Sequence, residues 1–218
     1  MIFKEKLRLL DSYEEIEDLN DEQINILKKL SYDSNAFIRG LVASLLYKKV
    51  NLENMYLLFR LSKDHNDYVR LEAYDSLSFF HCKKVSKFLV ECISSENNPL
   101  NRSYAIDSLI EVIVSLNIVD EYIKYIEESI IDESSTICLL SYLYALNLFG
   151  KDNITQILFY LNDSSYYNRF AVIQILSKIV NDNNRLIIVK SLKQRLLVEQ
   201  CRSVKIKIQE LLFTLGDS

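Results

Sequence analysis

Glycine and proline are almost missing from this chain: three and one, respectively, among 218 residues. That scarcity excludes folds built on many tight turns, and it leaves too few glycines for a phosphate-cradling loop. Tryptophan is absent, and histidine is limited to His65 and His81. Neither histidine stands in an HExxH-type frame, and the adjacent pair His81-Cys82 has no second pair at ligand spacing, so no metal is expected. No GxSxG, P-loop or dinucleotide fingerprint occurs, and no cofactor is expected. The four cysteines, Cys82, Cys92, Cys138 and Cys201, fall 10, 46 and 63 residues apart without a CxxC. They read as buried thiols in a reducing compartment.

Excess positive charge is missing too. The formal charge is −4 and the isoelectric point about 5.4. A nucleic-acid binder needs clustered Lys and Arg to displace counterions, so no nucleic acid is expected and a neutral or basic protein partner fits better. The longest stretch without Asp, Glu, Lys or Arg, residues 134–150, spans 17 residues and includes three Ser, a Thr and an Asn. A membrane span needs about 20 mostly apolar residues, so this stretch reads as a buried helix and no membrane is expected. The opening residues mix charge with apolar side chains too closely for a signal peptide. The expectation is a cytoplasmic protein that is monomeric when free. The run Glu14, Glu15, Glu17, Asp18 reads as a solvated helix face rather than a cation site.

What is present is a period. An acid is followed six positions later by a base at Asp33/Arg39, Asp64/Arg70, Glu96/Arg102, Asp163/Arg169 and Glu199/Lys205. A sixth site, Asp132/Cys138, keeps the acid and the apolar pattern but lacks the base. Successive acids stand 31, 32, 36, 31 and 36 residues apart, the range of stacked helical hairpins. Nine residues past each acid come Val42, Ala73, Ala105, Ser141, Val172 and Ile208; thirteen past come Leu46, Leu77, Leu109, Ala145, Leu176 and Leu212. On a helical wheel these offsets share one face, and the small or moderate residues at the ninth place allow close approach of a neighbouring helix. The second helix of each unit is therefore predicted near 35–49, 66–80, 98–116, 134–149, 165–181 and 202–215.

The intervening segments keep an i, i+3 rhythm, as in Ile24, Leu27, Leu30 and in Leu52, Met55, Leu58. Asn51, Asn98 before Pro99, and Asn183 supply helix caps. Residues 1–19 read as a shorter capping element, and the repeats as approximately 20–50, 51–81, 82–117, 118–150, 151–182 and 183–216 of a single domain. The fold class is all-α.

The pattern resembles the HEAT-repeat family, whose hairpins carry an Asp near the inter-helix turn and an Arg six residues later. Asp64-His65-Asn66-Asp67-Tyr68-Val69-Arg70-Leu71-Glu72-Ala73 is the best single match, and the resemblance covers residues 20–215. It implies a right-handed α-solenoid of about six hairpins, lined on its concave side by the second helices, with acids and bases forming a ladder along the turns. A turn carboxylate can accept from free N–H groups at the helix start and from a guanidinium, so these residues read as structural rather than catalytic.

Offsets 4, 8, 11 and 15 point away from the packed face. They give Tyr68, Glu72, Asp75 and Phe79 in the second unit and Leu100, Tyr104, Asp107 and Glu111 in the third. In the fourth they fall on Leu140 and Leu143, which either are buried in the most central unit, the favoured reading, or extend the partner-binding face as an apolar docking patch. Aromatics interleaved with carboxylates would select one basic protein partner. The leading reading is a non-enzymatic interaction module, and an immunity- or antitoxin-like inhibitor of a basic toxin in a bacterium is one role of that kind. Two rivals remain. The HEAT-like DNA-alkylation glycosylases have similar length, but they rely on a cationic groove, tryptophans and a catalytic Asp, and this chain has no Trp and an acidic stripe. The other rival is a lyase-like or scaffold HEAT module that helps modify another protein.

Overall fold

Asparagine side chains cap the starts of five helices, Asn20, Asn35, Asn51, Asn66 and Asn98 each accepting from a free N–H of the first turn. The computed structural model describes residues 1–216, with only the backbone of Asp132 among them. The described residues form thirteen α-helices and no strand. The first seven are α1 (Phe3–Glu14), α2 (Asp21–Leu30), α3 (Ala36–Leu45), α4 (Leu52–Leu61), α5 (Asp67–Leu77), α6 (Lys83–Ser95) and α7 (Pro99–Ser115). They are followed by α8 (Ile123–Asp132), α9 (Thr136–Leu148), α10 (Ile154–Phe159), α11 (Tyr166–Ile179), α12 (Arg185–Val198) and α13 (Arg202–Thr214). No helix is long and apolar enough to cross a membrane among the described residues. The charge-free stretch is α9, whose Cys138, Leu140, Tyr142, Leu143 and Ala145 are all buried. All four cysteines are free thiols, two of them buried.

The helices gather into two compact units, Met1–Val119 and Asp120–Ser218, where the sequence shows no linker. In unit 1 the helices α2/α3, α4/α5 and α6/α7 form antiparallel hairpins, and α1, α3, α5 and α7 pack successively. Residues 1–19 hold a single helix, α1, which packs on α3. Unit 2 repeats the scheme with α8/α9, with α10 (extended by a 3-10 turn, Tyr160–Asn162) followed by α11, and with α12/α13. Here α9, α11 and α13 pack successively. The residues nine and thirteen past each acid are all buried: Val42, Ala73, Leu46 and Leu77 in unit 1 and Val172, Ile208 and Leu176 in unit 2 are 0% exposed. In unit 1 a serine twelve past the acid also joins successive hairpins. Ser76 Oγ donates to the Ala43 carbonyl and Ser108 Oγ to the Tyr74 carbonyl, each at 2.8 Å.

The turn acids work in two directions. Each accepts from the backbone N–H two residues on: Asn35 on Asp33 (2.9 Å), Asn66 on Asp64 (2.9 Å), Asn98 on Glu96 (2.9 Å), Ser165 on Asp163 (2.7 Å) and Cys201 on Glu199 (2.8 Å). The bases reach forward to the next acid. Arg39 grips Asp64 through Nε and Nη2 at 2.7 and 2.8 Å, and Arg70 grips Glu96 at 2.7 and 3.0 Å. In unit 2 Arg169 holds Glu199 at 2.8 and 2.7 Å. The remaining Nη1 of each arginine donates backward to its own turn, at the carbonyls of Asp33, Asp64 and Asp163. Lys6 of α1 supplies the first rung on Asp33. The ladder thus runs through covalent turn and ion pair from Lys6 to Glu96 in unit 1 and from Arg169 to Glu199 in unit 2, while the step from the fourth hairpin to the fifth has Leu139 in the place of the base.

Two sequence readings shift by one residue. In the fourth hairpin the capping acid is Glu133, whose Oε1 accepts from Ser135 N–H at 2.7 Å; the side chain of Asp132 lies outside the described residues. The sixth position after Glu133 is then Leu139, and Cys138 takes the buried fifth position held elsewhere by Ile38 and Val69. The cap of α12 is Asn184 rather than Asn183, in a run where Asn181 Oδ1 accepts from both of their N–H groups.

Glu199 shows what a rung is worth. Its side chain is fully buried, which alone would raise its pKa. The Arg169 guanidinium, the Cys201 N–H and Arg195 overcome this and hold it at about 2, from an ordinary 4.5. A carboxylate depressed in this way stabilises the fold above the unfolded-state pKa and loses that contribution as pH falls through the folded one. The loss from this group falls between pH 4.5 and about 2. Removing one partner of a buried pair costs about 3–5 kcal/mol, whereas an exposed pair contributes about 0–1 kcal/mol. Urea unfolding at pH 7 should therefore show Arg169→Met destabilised by about 3–5 kcal/mol. Most of that difference should disappear below the pH at which Glu199 protonates. Equal stability of variant and parent at pH 7 would contradict the ladder's structural role.

Candidate functional site

The second helices of unit 1 carry one stripe of side chains that the core does not use. On α5, Tyr68 and Glu72 are half-buried and Asp75 is exposed, as is Phe79 in the turn just past its end. On α7, Leu100, Asp107 and Glu111 are exposed and Tyr104 is half-buried. These are the residues that the offsets select in the second and third hairpins, and the face is formed by α3, α5 and α7 packed side by side.

Aromatic stacking fixes the face. Phe37 of α3 stacks on Tyr68 with ring centroids 5.6 Å apart, and Tyr47 stacks on Phe79 at 4.4 Å. Tyr68 can lie flat against α3 because residue 40 is glycine: a Cβ there would collide with the Tyr68 ring. Phe37 is four residues past Asp33, so the offset that selects Tyr68 in the second hairpin also finds it in the first. Tyr47 is fourteen past that acid and lies outside the stripe rule.

Burial dominates the electrostatics of Glu72 and Asp75 on this face. Burial raises the pKa of Glu72, its neighbour Asp75 raises it further, and a hydrogen bond with Tyr68 opposes both. Burial likewise raises Asp75. Tyr68 is pushed up to about 12 by burial and by the charge of Glu72. Tyr104 is raised by burial and then by Asp75, Glu72 and Asp107. These four acids and tyrosines therefore share one electrostatic environment. Lys48 lies 5.9 Å over the Tyr47 ring, with its ammonium donating to the carbonyls of Glu14 and Ile16, and other cations of unit 1 lie over rings away from these acids. Arg60 lies 3.9 Å over the Tyr32 ring, Lys84 4.4 Å over Tyr56 and Lys63 5.4 Å over Phe88, all on or beside the first helices α2, α4 and α6. The arginines of the turns are held by Asp64 and Glu96.

Leu140 and Leu143 do not belong to an exposed stripe. They are 1% and 4% exposed and are part of the core of unit 2. The cause is the one-residue shift of register to Glu133. From that acid the outward offsets fall on the part-exposed Ile137, Tyr144 and Leu148, though also on Ser141, which is buried. The two leucines take the seventh and tenth places, the latter held by the buried Ala43, Tyr74 and Ile106 in the first three hairpins. The histidines carry no site either. His65 is exposed and its Nδ1 lies 3.3 Å from Asp64, whose carboxylate is already committed to Arg39. Among the described residues no group of three His, Cys, Asp or Glu could hold a metal ion.

No protein-family model matches the sequence, and no curated protein matches it. Solved structures do. The complex of CpcE and CpcF of phycocyanin lyase from Nostoc sp. PCC7120 is 15% identical over 90% of this chain and 83% of that one, with a TM-score of 0.57. YibA of Escherichia coli is 20% identical over 95% of this chain and 74% of that one, with a TM-score of 0.60. The likeness shows the fold: an all-α, HEAT-like helical-repeat fold.

The raised carboxyls make a stability prediction with a definite sign. A carboxyl whose folded pKa lies above its unfolded one favours the fold when protonated and disfavours it once ionised. Glu72→Gln should therefore stabilise the free protein at pH 7, by about 0.5–1 kcal/mol after allowance for solvent screening. The gain should vanish in thermal melts at acid pH, where both side chains are neutral. A variant less stable than the parent at pH 7 would show that the ionised carboxylate is compensated.

Proposed function

We propose that this chain is a non-enzymatic interaction module that binds one basic protein partner on the acidic, aromatic face of α3, α5 and α7. The observation that carries this reading is the uncompensated pair Glu72 and Asp75, held among Tyr68, Tyr104 and Asp107 with raised carboxyl pKa values. A Lys or Arg from a partner would supply the missing counter-charge. The tyrosines would supply contact area at low entropic cost and ring faces for the cation. Like-charge clustering of this kind also steers a basic partner and speeds its approach.

Further support comes from what the acids and bases elsewhere are doing. The turn carboxylates and guanidinium groups saturate one another and cap helices, which leaves them unsuited to proton transfer. One of the similar structures is itself a complex of two proteins, CpcE with CpcF. A basic toxin domain, neutralised by this chain as an immunity-type inhibitor, is a partner whose charge would match the face.

The test uses a fluorescein-labelled peptide of alternating Arg and Tyr as a stand-in for a basic partner. Binding to the full chain should weaken steeply with salt, and should fall at least tenfold in the double variant Asp75→Lys/Asp107→Lys, about 1.4 kcal/mol or more. Affinity should also decline on acidification at a pH above that of an ordinary glutamate, because the raised carboxyls neutralise early. Unchanged affinity in a folded double variant would remove the face from the model.

A further inference from the structure

The hairpin step that lacks a ladder base holds a different kind of cleft. In unit 1, the step from the second hairpin to the third contains a polar cleft of about 360 Å³, whose walls include Ser62, Arg70, Tyr74, Phe88, Cys92 and Glu96. Arg70 lies six residues and Tyr74 ten residues past Asp64. Both reach Glu96, Arg70 through its fork and Tyr74 through its hydroxyl at 3.2 Å. In unit 2, the step from the fourth hairpin to the fifth contains a cleft at the corresponding place. There the residues six and ten past Glu133 are Leu139 and Leu143, and the residue four before the next acid is Phe159 where unit 1 has Cys92.

Those exchanges convert an ion-paired step into an apolar one. The unit 2 cleft has a volume of about 480 Å³ and is walled by Ile130, Leu139, Leu143, Phe159 and Tyr160, with Gln156 at its edge. The next acid, Asp163, receives no guanidinium from Leu139. It accepts instead from the amide of Asn168 in its own hairpin at 3.1 Å and from Ser165 N–H at 2.7 Å. Its carboxylate is thus drawn to the local turn rather than toward the cleft. Phe159 is 72% exposed and packs edge-to-face on Tyr160 with centroids 5.4 Å apart, presenting ring surface without a covering neighbour.

We propose that this cleft is a binding site for a small, neutral, aromatic molecule. The volume lies within the range of small-molecule sites, about 300–1,000 Å³. No Lys, Arg, Asp or Glu lines it, so a charged ligand would lose hydration without gaining a partner. Leucine and isoleucine walls with two ring faces at the mouth match a flat, apolar body. The Thr155 hydroxyl, the Gln156 amide and the Tyr160 hydroxyl are the groups that can meet one or two polar atoms on it. This site is independent of the protein-binding reading, since it involves only residues of unit 2.

The probe is indole, titrated into the full chain with its leucine methyl groups isotopically labelled and followed by NMR. Saturable shifts should appear at Leu139 and Leu143 and be small at leucines of unit 1. Leu139→Arg, which restores the residue type of the other steps, should weaken indole binding at least tenfold while the unit 1 methyl spectrum stays unchanged. Phe159→Ser, at an exposed position and harmless to the core, should weaken it severalfold and serves if the arginine variant fails to fold. Shifts spread over the whole surface would overturn the site, as would equal affinity in the folded variants. A Gly-Gly-Trp-Gly-Gly peptide binding tenfold tighter than indole would overturn the assignment to a free molecule in favour of a partner's side chain.

Discussion

A forked ion pair with a fixed direction is the constraint on which the rest of each unit depends. A guanidinium has donors on two sides. In Arg39, Arg70 and Arg169 the Nε and Nη2 edge takes the carboxylate of the following hairpin while Nη1 takes a carbonyl of its own turn. The carboxylate at the other end also satisfies an N–H at the start of the next helix. One side chain therefore fixes the turn behind it, the turn ahead and the spacing between them. A lysine could not hold three such points with one rigid plane. Small residues at the ninth position and the Ser76 and Ser108 bonds then set how closely successive helices approach.

Unit 1 keeps its charges apart. Its turn acids are neutralised by Lys6, Arg39 and Arg70; Arg60, Lys63 and Lys84 lie over aromatic rings on the first-helix side; and Glu72, Asp75, Asp107 and Glu111 collect on α5 and α7. This segregation costs some stability, which the raised pKa values of Glu72 and Asp75 register. A fold under no other demand would place a lysine near them. Unit 2 spends its departure from the pattern differently, exchanging one rung for apolar walls.

The fold was legible because the acid-to-base interval and the helical period are short-range signals that repeat. The same repetition explains the failures. Asp132 and Glu133 are adjacent acids before a pair of serines, and no local rule separates them; the cap bond to Ser135 does. That one-residue difference placed Leu140 and Leu143 on the outward stripe, since a step of one on a helix is a rotation of about 100°, although their apolar, charge-free surroundings already favoured burial. Asn183 and Asn184 pose the same ambiguity. The acidic stripe of the second and third hairpins was readable because its reference acids are unambiguous. The stacking of Tyr47 on Phe79 was not, because it depends on how two helices sit side by side. The apolar cleft needed the structure as well: only after Leu139 takes the arginine's place in the register does its chemistry become visible.

The directionality of the ladder has a consequence for how such a chain can change length. Arg39, Arg70 and Arg169 each address the acid of the hairpin after it, so deleting or duplicating one full acid-to-acid interval that carries such a base rejoins a matched donor and acceptor. Removing a single helix would instead set two like elements against each other and orphan a buried charge. A rearrangement that respects the interval therefore keeps the joint intact, and the longer intervals that end at Glu133 and Glu199 are tolerated because their extra residues lie outside the short acid-to-base segment that makes it.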